Sequence, residues 1–173
     1  FGMIDNRIKL TADAFQKTTT DLINTIYIEG AAYVYNAGKM ENTGLELALN
    51  TINFKGDFNW NTNFNITFIK NKVLEMGLQP IEYAGYQNVN RLEKGQPLGN
   101  FYGYVVDRVN PATGILEYKD TNGDGALTPQ DRTIIGNAMS DYYFGFTNTF
   151  SYEGLSLDVL FTGVQGNEVF NAS

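Results

Sequence analysis

Between residues 58 and 68 the chain alternates without slipping. Phe58, Trp60, Phe64, Ile66 and Phe68 fall on one side, Asn59, Asn61, Asn63, Asn65 and Thr67 on the other, and only Thr62 interrupts the apolar row. A period of two lays successive side chains on opposite faces of a strand, whereas a helix would scatter both rows around its circumference. The rows constrain the surroundings as well as the backbone. The outer face of a soluble sheet usually mixes Lys, Glu and Thr, while an unbroken amide row opposite an aromatic row suits a wall with lipid on one side and a wet lumen on the other. A half-buried strand of a soluble antiparallel sheet also alternates, so that reading stays open here.

A second segment repeats the design. Tyr142, Phe144, Phe146, Phe150 and Tyr152 share a face, Glu153-Gly154 makes a tight turn, and Leu155, Leu157, Val159 and Phe161 continue the apolar side, with Ser156, Asp158 and Thr162 opposite. Upstream, residues 7–15 set Ile8, Leu10, Ala12 and Ala14 against Arg7, Lys9, Thr11 and Asp13. Residues 43–52 set Leu45, Leu47 and Leu49 against Glu46, Ala48 and Asn50, and a turn at 53–57 containing Gly56 reverses the chain. Residues 16–39 carry no sustained period and read as a long connection, as do residues 71–141. Short turns then fall at one end of an antiparallel sheet and long excursions at the other, the asymmetry of outer-membrane barrels. Phe58, Trp60, Phe150 and Tyr152, beside the short turns, would form part of an aromatic girdle.

Composition agrees with strands and removes several functions. Eleven Tyr, 12 Phe and 18 Gly, with only 18% charged residues in 173, favour sheet and turn over helix, and no linker-like tract divides the chain. A net charge of −7 argues against a nucleic-acid partner, which would require a Lys/Arg surface. Without Cys or His, thiol catalysis, Ser-His triads and zinc chemistry are excluded. Nothing places two carboxylates at the spacing glycoside hydrolysis needs, so no enzyme is expected. No apolar run reaches the 18 or so residues of a membrane helix. The opening at Phe1-Gly2-Met3, with no secretory leader, and the ending at Asn171-Ala172-Ser173 read as cuts through a longer protein.

The excursion at 71–141 is too long to be structureless. Residues 101–109 and 115–119 are expected to pair as a hairpin across Asn110-Pro111-Ala112-Thr113-Gly114. Next comes Asp120-Thr121-Asn122-Gly123-Asp124-Gly125-Ala126-Leu127-Thr128-Pro129-Gln130-Asp131, with oxygens at positions 1, 3, 5 and 12 of a twelve-residue loop and Gly125 at the sharp turn. This spacing would set Asp120, Asn122, Asp124, the Ala126 carbonyl, Thr128 and Asp131 around a calcium ion. Asp131 replaces the usual Glu at position 12, which weakens the match, and Asx turns alone would also explain the loop. Thr128 further reads as the N-cap of a helix, with Pro129 at its first position and Asp131 as the reciprocal acid. Asp131 cannot easily serve both roles, and an ion is expected to win it. Tyr83, Tyr86, Tyr102 and Tyr104 could stack on sugar rings or pack the excursion against itself.

Several blocks carry a family resemblance. Gly95-Gln96-Pro97-Leu98-Gly99-Asn100-Phe101-Tyr102-Gly103-Tyr104, then 120–131 with Arg132, Ile135-Gly136, and Tyr143-Phe144-Gly145-Phe146-Thr147-Asn148 resemble successive blocks in the C-terminal half of SusC/RagA-type TonB-dependent transporters; Asn42-Thr43-Gly44-Leu45-Glu46 resembles another. The resemblance covers most of the chain in order. It implies an all-β fold: antiparallel strands of a transmembrane β-barrel of about 22 strands in the outer membrane, with long extracellular loops. It further implies an N-terminal plug, a TonB contact, a SusD-like surface lipoprotein as lid, and an oligosaccharide or peptide as cargo. This chain would hold roughly five wall strands and outer loops, residues 71–141 lying outside the cell, with the acidic loop as a calcium brace. The rival from a different class is a secreted or surface calcium-braced β-sandwich adhesion module, which would bury its aromatic rows against a second sheet.

Overall fold

The structure, a computed structural model, describes residues 2–28, 30–36, 38–77, 81–84 and 89–171. In chain order its strands are β1 (Gly2–Met3), β2 (Ile8–Thr19), β3 (Ile23–Ile28), β4 (Ala31–Asn36), β5 (Gly38–Phe54), β6 (Phe58–Met76), β7 (Ile81–Ala84), β8 (Asn90–Glu93), β9 (Asn100–Gly103), β10 (Val106–Val109), β11 (Leu116–Tyr118), β12 (Thr133–Asn137), β13 (Tyr142–Tyr152) and β14 (Leu155–Gln165). They divide between two compact units, the first of residues 1–19, 41–71 and 140–167, the second of 20–40, 72–139 and 168–173.

The first unit is one antiparallel sheet in the order β1-β2-β5-β6-β13-β14. Its five long strands are those the alternation marks, and three short turns lie at one end. At residues 4–7 the Arg7 backbone N–H closes the turn on the Ile4 carbonyl at 2.9 Å, and its guanidinium ties the turn to the end of β5, donating to the Ile52 carbonyl at 3.0 and 3.1 Å and to the Asn53 carbonyl at 2.6 Å. Residues 55–57 link β5 to β6. Glu153 and Gly154, both at positive φ (47° and 83°), link β13 to β14 in the way a two-residue hairpin turn requires.

Close approach explains Gly44 on β5. A Cβ there would run into the Phe15 ring and sit 2.7 Å from the Phe68 carbonyl oxygen, which belongs to backbone and cannot swing aside. Gly44→Ala is therefore expected to cost about 1–3 kcal/mol, as overpacking does. Urea unfolding of the barrel, compared with the same change at the open Gly56, checks it.

The strands run further than the sequence pattern. β2 continues through Thr19, β5 starts at Gly38, and β6 continues to Met76 although its apolar row ends at Phe68. The pattern inverts in mid-strand: beyond Phe68 the aromatic side carries Lys70 and Lys72, both exposed, and the other side carries Ile69 and the buried Val73. Val73 is 5% exposed and is the one fully buried apolar residue among those described. Its backbone is paired in the second unit, donating to the Gln96 carbonyl at 2.9 Å and accepting from Gly95 N at 2.8 Å. β6 thus carries the chain past residue 71 into the second unit, which takes up residues 72–139.

The second unit holds three small sheets, β3-β4, β10-β11 and β12-β9-β8-β7. Two expectations are corrected there. Residues 16–39 are no plain connection, because Ile23–Ile28 pairs with Ala31–Asn36 as a hairpin turning at Gly30 (φ 83°). Residues 101–109 are not one strand of a hairpin. They split into β9, which pairs with β8 and β12, and β10, which pairs with β11. The β10-β11 hairpin itself is held by Arg108 Nε donating to Glu117 at 2.5 Å and Asn110 Nδ2 donating to the same carboxylate at 2.8 Å.

Candidate functional site

The wall is built by register. Phe58 faces Tyr152, Trp60 faces Phe150, Phe64 faces Phe146, Ile66 faces Phe144 and Phe68 faces Tyr142, while the amides Asn59, Asn61, Asn63 and Asn65 pair with Ser151, Thr149, Thr147 and Gly145. β14 extends both rows, Phe161 lying opposite Phe146 and Asp158 opposite Thr149. Rings near the short turns form a cluster, with Trp60 and Phe150 stacked at 5.8 Å, Phe54 and Trp60 at 6.0 Å, and Phe58 and Phe150 at 6.3 Å. Amides on the opposite face join strands, as where Asn63 donates to Asn50 at 2.5 Å. A concavity of about 260 Å³ opens on that face beside Arg7, Lys9, Asn50, Asn61, Asn63 and Thr147.

The sequence marks Thr62 as the break in the apolar row, and the structure supplies its partner. Asn148 sits directly opposite Thr62, and its Oδ1 accepts from Trp60 Nε1 at 2.9 Å and from the Thr62 hydroxyl at 2.8 Å. The chain continues through Asn53, whose Nδ2 donates to Thr62 at 2.7 Å and whose Oδ1 accepts from Thr51 at 2.9 Å. A simultaneous gap in two adjacent apolar rows was the available signal.

In the second unit the acidic loop folds around Asp131, which is completely buried. One carboxylate oxygen accepts from the backbone of Thr121 at 2.9 Å and Asn122 at 3.4 Å, the other from Thr128 N at 2.7 Å and the Thr128 hydroxyl at 3.2 Å. These bonds hold its carboxyl below the usual aspartate range, the Thr128 N–H foremost, against burial acting the other way. Thr128, Pro129 and Asp131 take the expected capping positions, but of a single 3-10 turn, Pro129–Asp131, which gives way to β12 instead of continuing as a helix.

The remaining loop oxygens sit in Asx turns. Asp120 accepts from Gly123 N at 2.6 Å and Gly125 N at 2.7 Å, Asn122 from Asp124 N at 2.9 Å, and Asp124 from Ala126 N at 2.9 Å. Among the described residues no three acidic side chains converge on one point. Asp120, Asn122, Asp124 and Ala126 lie in the turn, while the Asp131 carboxylate is spent on backbone donors and the Thr128 hydroxyl.

The four tyrosines are not gathered. Tyr83 is placed by its backbone opposite Arg91, and Tyr86 lies outside the described residues. Tyr102 holds two guanidinium groups over its ring, Arg91 at 4.2 Å and Arg132 at 4.8 Å from the ring centre, cations that the sequence pattern does not mark. Tyr104 packs on Tyr118 at 5.7 Å. Phe101, Tyr102, Tyr104, Tyr118, Arg132 and Phe170 line a cavity of about 480 Å³.

Among the described residues the aromatic rows stay open, Phe58 at 44%, Phe161 at 58% and Leu157 at 60% exposure. Comparison decides between the two classes, against the adhesion sandwich, since the model of the family described as TonB dependent receptor-like, beta-barrel matches residues 3–172. The chain belongs to this family. TonB-dependent receptor P26 of Formosa agariphila is 32% identical over 98% of this chain and 20% of its own length. TonB-dependent receptor SusC of Bacteroides thetaiotaomicron is 25% identical over 98% of this chain and 19% of its own. The chain thus spans about a fifth of the curated relatives it matches. The solved structure titled "Structure of the RagAB peptide transporter" superposes with a TM-score of 0.83 at 22% identity, over 96% of this chain and 20% of that one, a likeness of fold. The sheet of the first unit is accordingly a run of antiparallel strands from a TonB-dependent receptor barrel.

Proposed function

We propose that this receptor segment is wall and outer loop of an outer-membrane importer of oligosaccharides or peptides, energised through TonB and lidded by a SusD-like surface lipoprotein. The observation that carries the reading is the two-faced register of β6, β13 and β14, with rings on one side and amides on the other. Support for the cargo class is more general: relatives include SusC, and the RagAB structure is titled a peptide transporter. In the host, deleting the whole receptor should abolish growth on either an oligosaccharide or a peptide supplied as sole carbon source. Unimpaired growth on both would remove the importer reading. A lipoprotein should also copurify with the tagged receptor.

Of the tyrosines put forward for cargo contact (Tyr83, Tyr86, Tyr102 and Tyr104), Tyr102 and Tyr104 line the aromatic cavity, which suits ring stacking or an apolar peptide side chain. For calcium, Asp120, Asn122, Asp124 and the Ala126 carbonyl would hold the ion, and Asp131 would have to exchange its backbone bonds for it. Bound there, calcium would brace the loop. Isothermal titration of the calcium-stripped receptor should then give a binding heat that Asp124→Ala removes. No heat with the intact receptor would retire the metal and leave Asp131 as the brace.

A further inference from the structure

Asn148 is 8% exposed and stands on the ring-bearing, lipid-side face of β13, with Thr62 opposite it on β6 and Val159 on β14. Trp60 Nε1 can only donate, so the amide atom facing it must be the oxygen, and the Thr62 hydroxyl donates to the same atom. That fixes the amide's orientation and leaves Nδ2 with two N–H groups. Among the described residues nothing accepts from them: the amide's hydrogen bonds are the two just named. In water such a donor would be satisfied by solvent. On the outside of a barrel wall there is little water, acyl chains offer no acceptor, and an unmet N–H is costly.

Depth selects the acceptor. Trp60 and Phe150 belong to the ring cluster beside the short turns, and indole and phenol rings of barrel girdles sit at headgroup level. Thr62 and Asn148 lie two residues further along their strands, about 5 Å deeper for a tilted strand. The oxygens just beneath the headgroup are the ester carbonyls that join glycerol to the acyl chains. We infer that Asn148 Nδ2 donates to an ester carbonyl of a phospholipid in the leaflet at the short-turn end, and that Thr51, Asn53, Thr62 and Trp60 form a hydrogen-bonded frame that aims it. Asn148 is thereby a lipid-binding residue in the wall. The inference rests on the reading of this sheet as membrane wall.

The test uses the full-length receptor in detergent, titrated with a diester phosphatidylethanolamine or with the diether analogue of the same headgroup and chain length, bound lipid being counted by native mass spectrometry. The intact receptor should bind the diester about two- to tenfold more tightly, the factor that one net hydrogen bond implies. Asn148→Leu should erase that preference. Because the leucine also strips Trp60 and Thr62 of their acceptor, the ester-to-ether ratio of the unaltered receptor stands as a measurement that needs no variant. Equal binding of the two lipids by the unaltered receptor overturns the inference, and so does a preference that survives Asn148→Leu. A change of oligomeric state in the variant, with no ester preference in the parent, would give the amide to a neighbouring protein and overturn it equally. A receptor that cannot be held as a folded barrel in detergent would bring down the wall reading itself, whereas a folded barrel indifferent to the ester brings down only this step.

Discussion

Phe64→Lys is expected to destabilise the inserted barrel by about 2–4 kcal/mol, the cost of a cation near the bilayer midplane, and Asn63→Lys by much less. The two residues are neighbours on one strand, and the difference in sheet propensity between Phe and Asn, within about 1 kcal/mol, is smaller than the effect expected from the face. Phe64 meets Phe146 at 6.4 Å, and Phe146 meets Phe161 at 6.4 Å, so the ring lies within the outward band, between the Trp60 and Phe68 rows. Lysine there loses that packing and carries its charge too deep to reach the headgroups easily. Asn63 points to the amide side, where it donates to Asn50, and an ammonium in a wet lumen costs little beyond that bond. Urea unfolding of the full-length receptor in liposomes, followed by heat-modifiable migration, measures both. Comparable losses at the two positions would contradict the assignment of faces.

Asp131→Ala is expected to open the acidic loop. One carboxylate gathers N–H groups from Thr121, Asn122 and Thr128, segments on either side of the turn, and alanine takes the shared acceptor from all three. Protease cleavage within 120–131 should accelerate by at least about tenfold, as loss of a buried bond to a charged group implies. Asp120→Ala, which removes only exposed turn contacts, should act far more weakly. Acid gives an independent check. The Asp131 carboxyl is held below its usual value of 3.8, so its stabilising contribution is complete above that value and is lost as pH falls below it. The loop should therefore keep its protection at pH 5 and lose it in stronger acid. Uniform cleavage across that range, or an unchanged rate in Asp131→Ala, would mean that the loop is held by something else.

Much of the wall was legible because a barrel strand carries its environment in its own period. Phe58, Phe64 and Phe68 against Asn59, Asn63 and Asn65 state both the strand and its two media, and the 58–68 and 142–152 rows pair in full register. What failed did so for identifiable reasons. The alternation of β6 reads as ending at Phe68 because the pattern inverts there: Lys70 and Lys72 take over the aromatic side and Val73 the other, and a single fixed face ends at such a reversal. The β3-β4 hairpin escaped because Ile23–Ile28 and Ala31–Asn36 do not alternate, although Gly30 between two β-rich runs was a hairpin signal. β9 was fused with β10 because local sequence cannot announce that Asn100–Gly103 pairs with Thr133–Asn137, some thirty residues on. At the acidic loop the spacing was right for a compact turn, but spacing alone did not say that Asp131 points inward to backbone donors.

The reversal along β6 also works as a ruler. From the Trp60 row to the Phe68 row, at about 3.3 Å per residue and a tilt of about 40°, the apolar span is about 20 Å, after which Lys70 stands on the same outward side. Most bilayers have a hydrocarbon layer nearer to about 30 Å, and the bacterial outer membrane is thinner than average. A thicker membrane would either drown Lys70 in acyl chains or have to pinch around the barrel. A span of this length suits a bilayer thinner than average, and hydrophobic matching by itself would disfavour its settling in a thicker one.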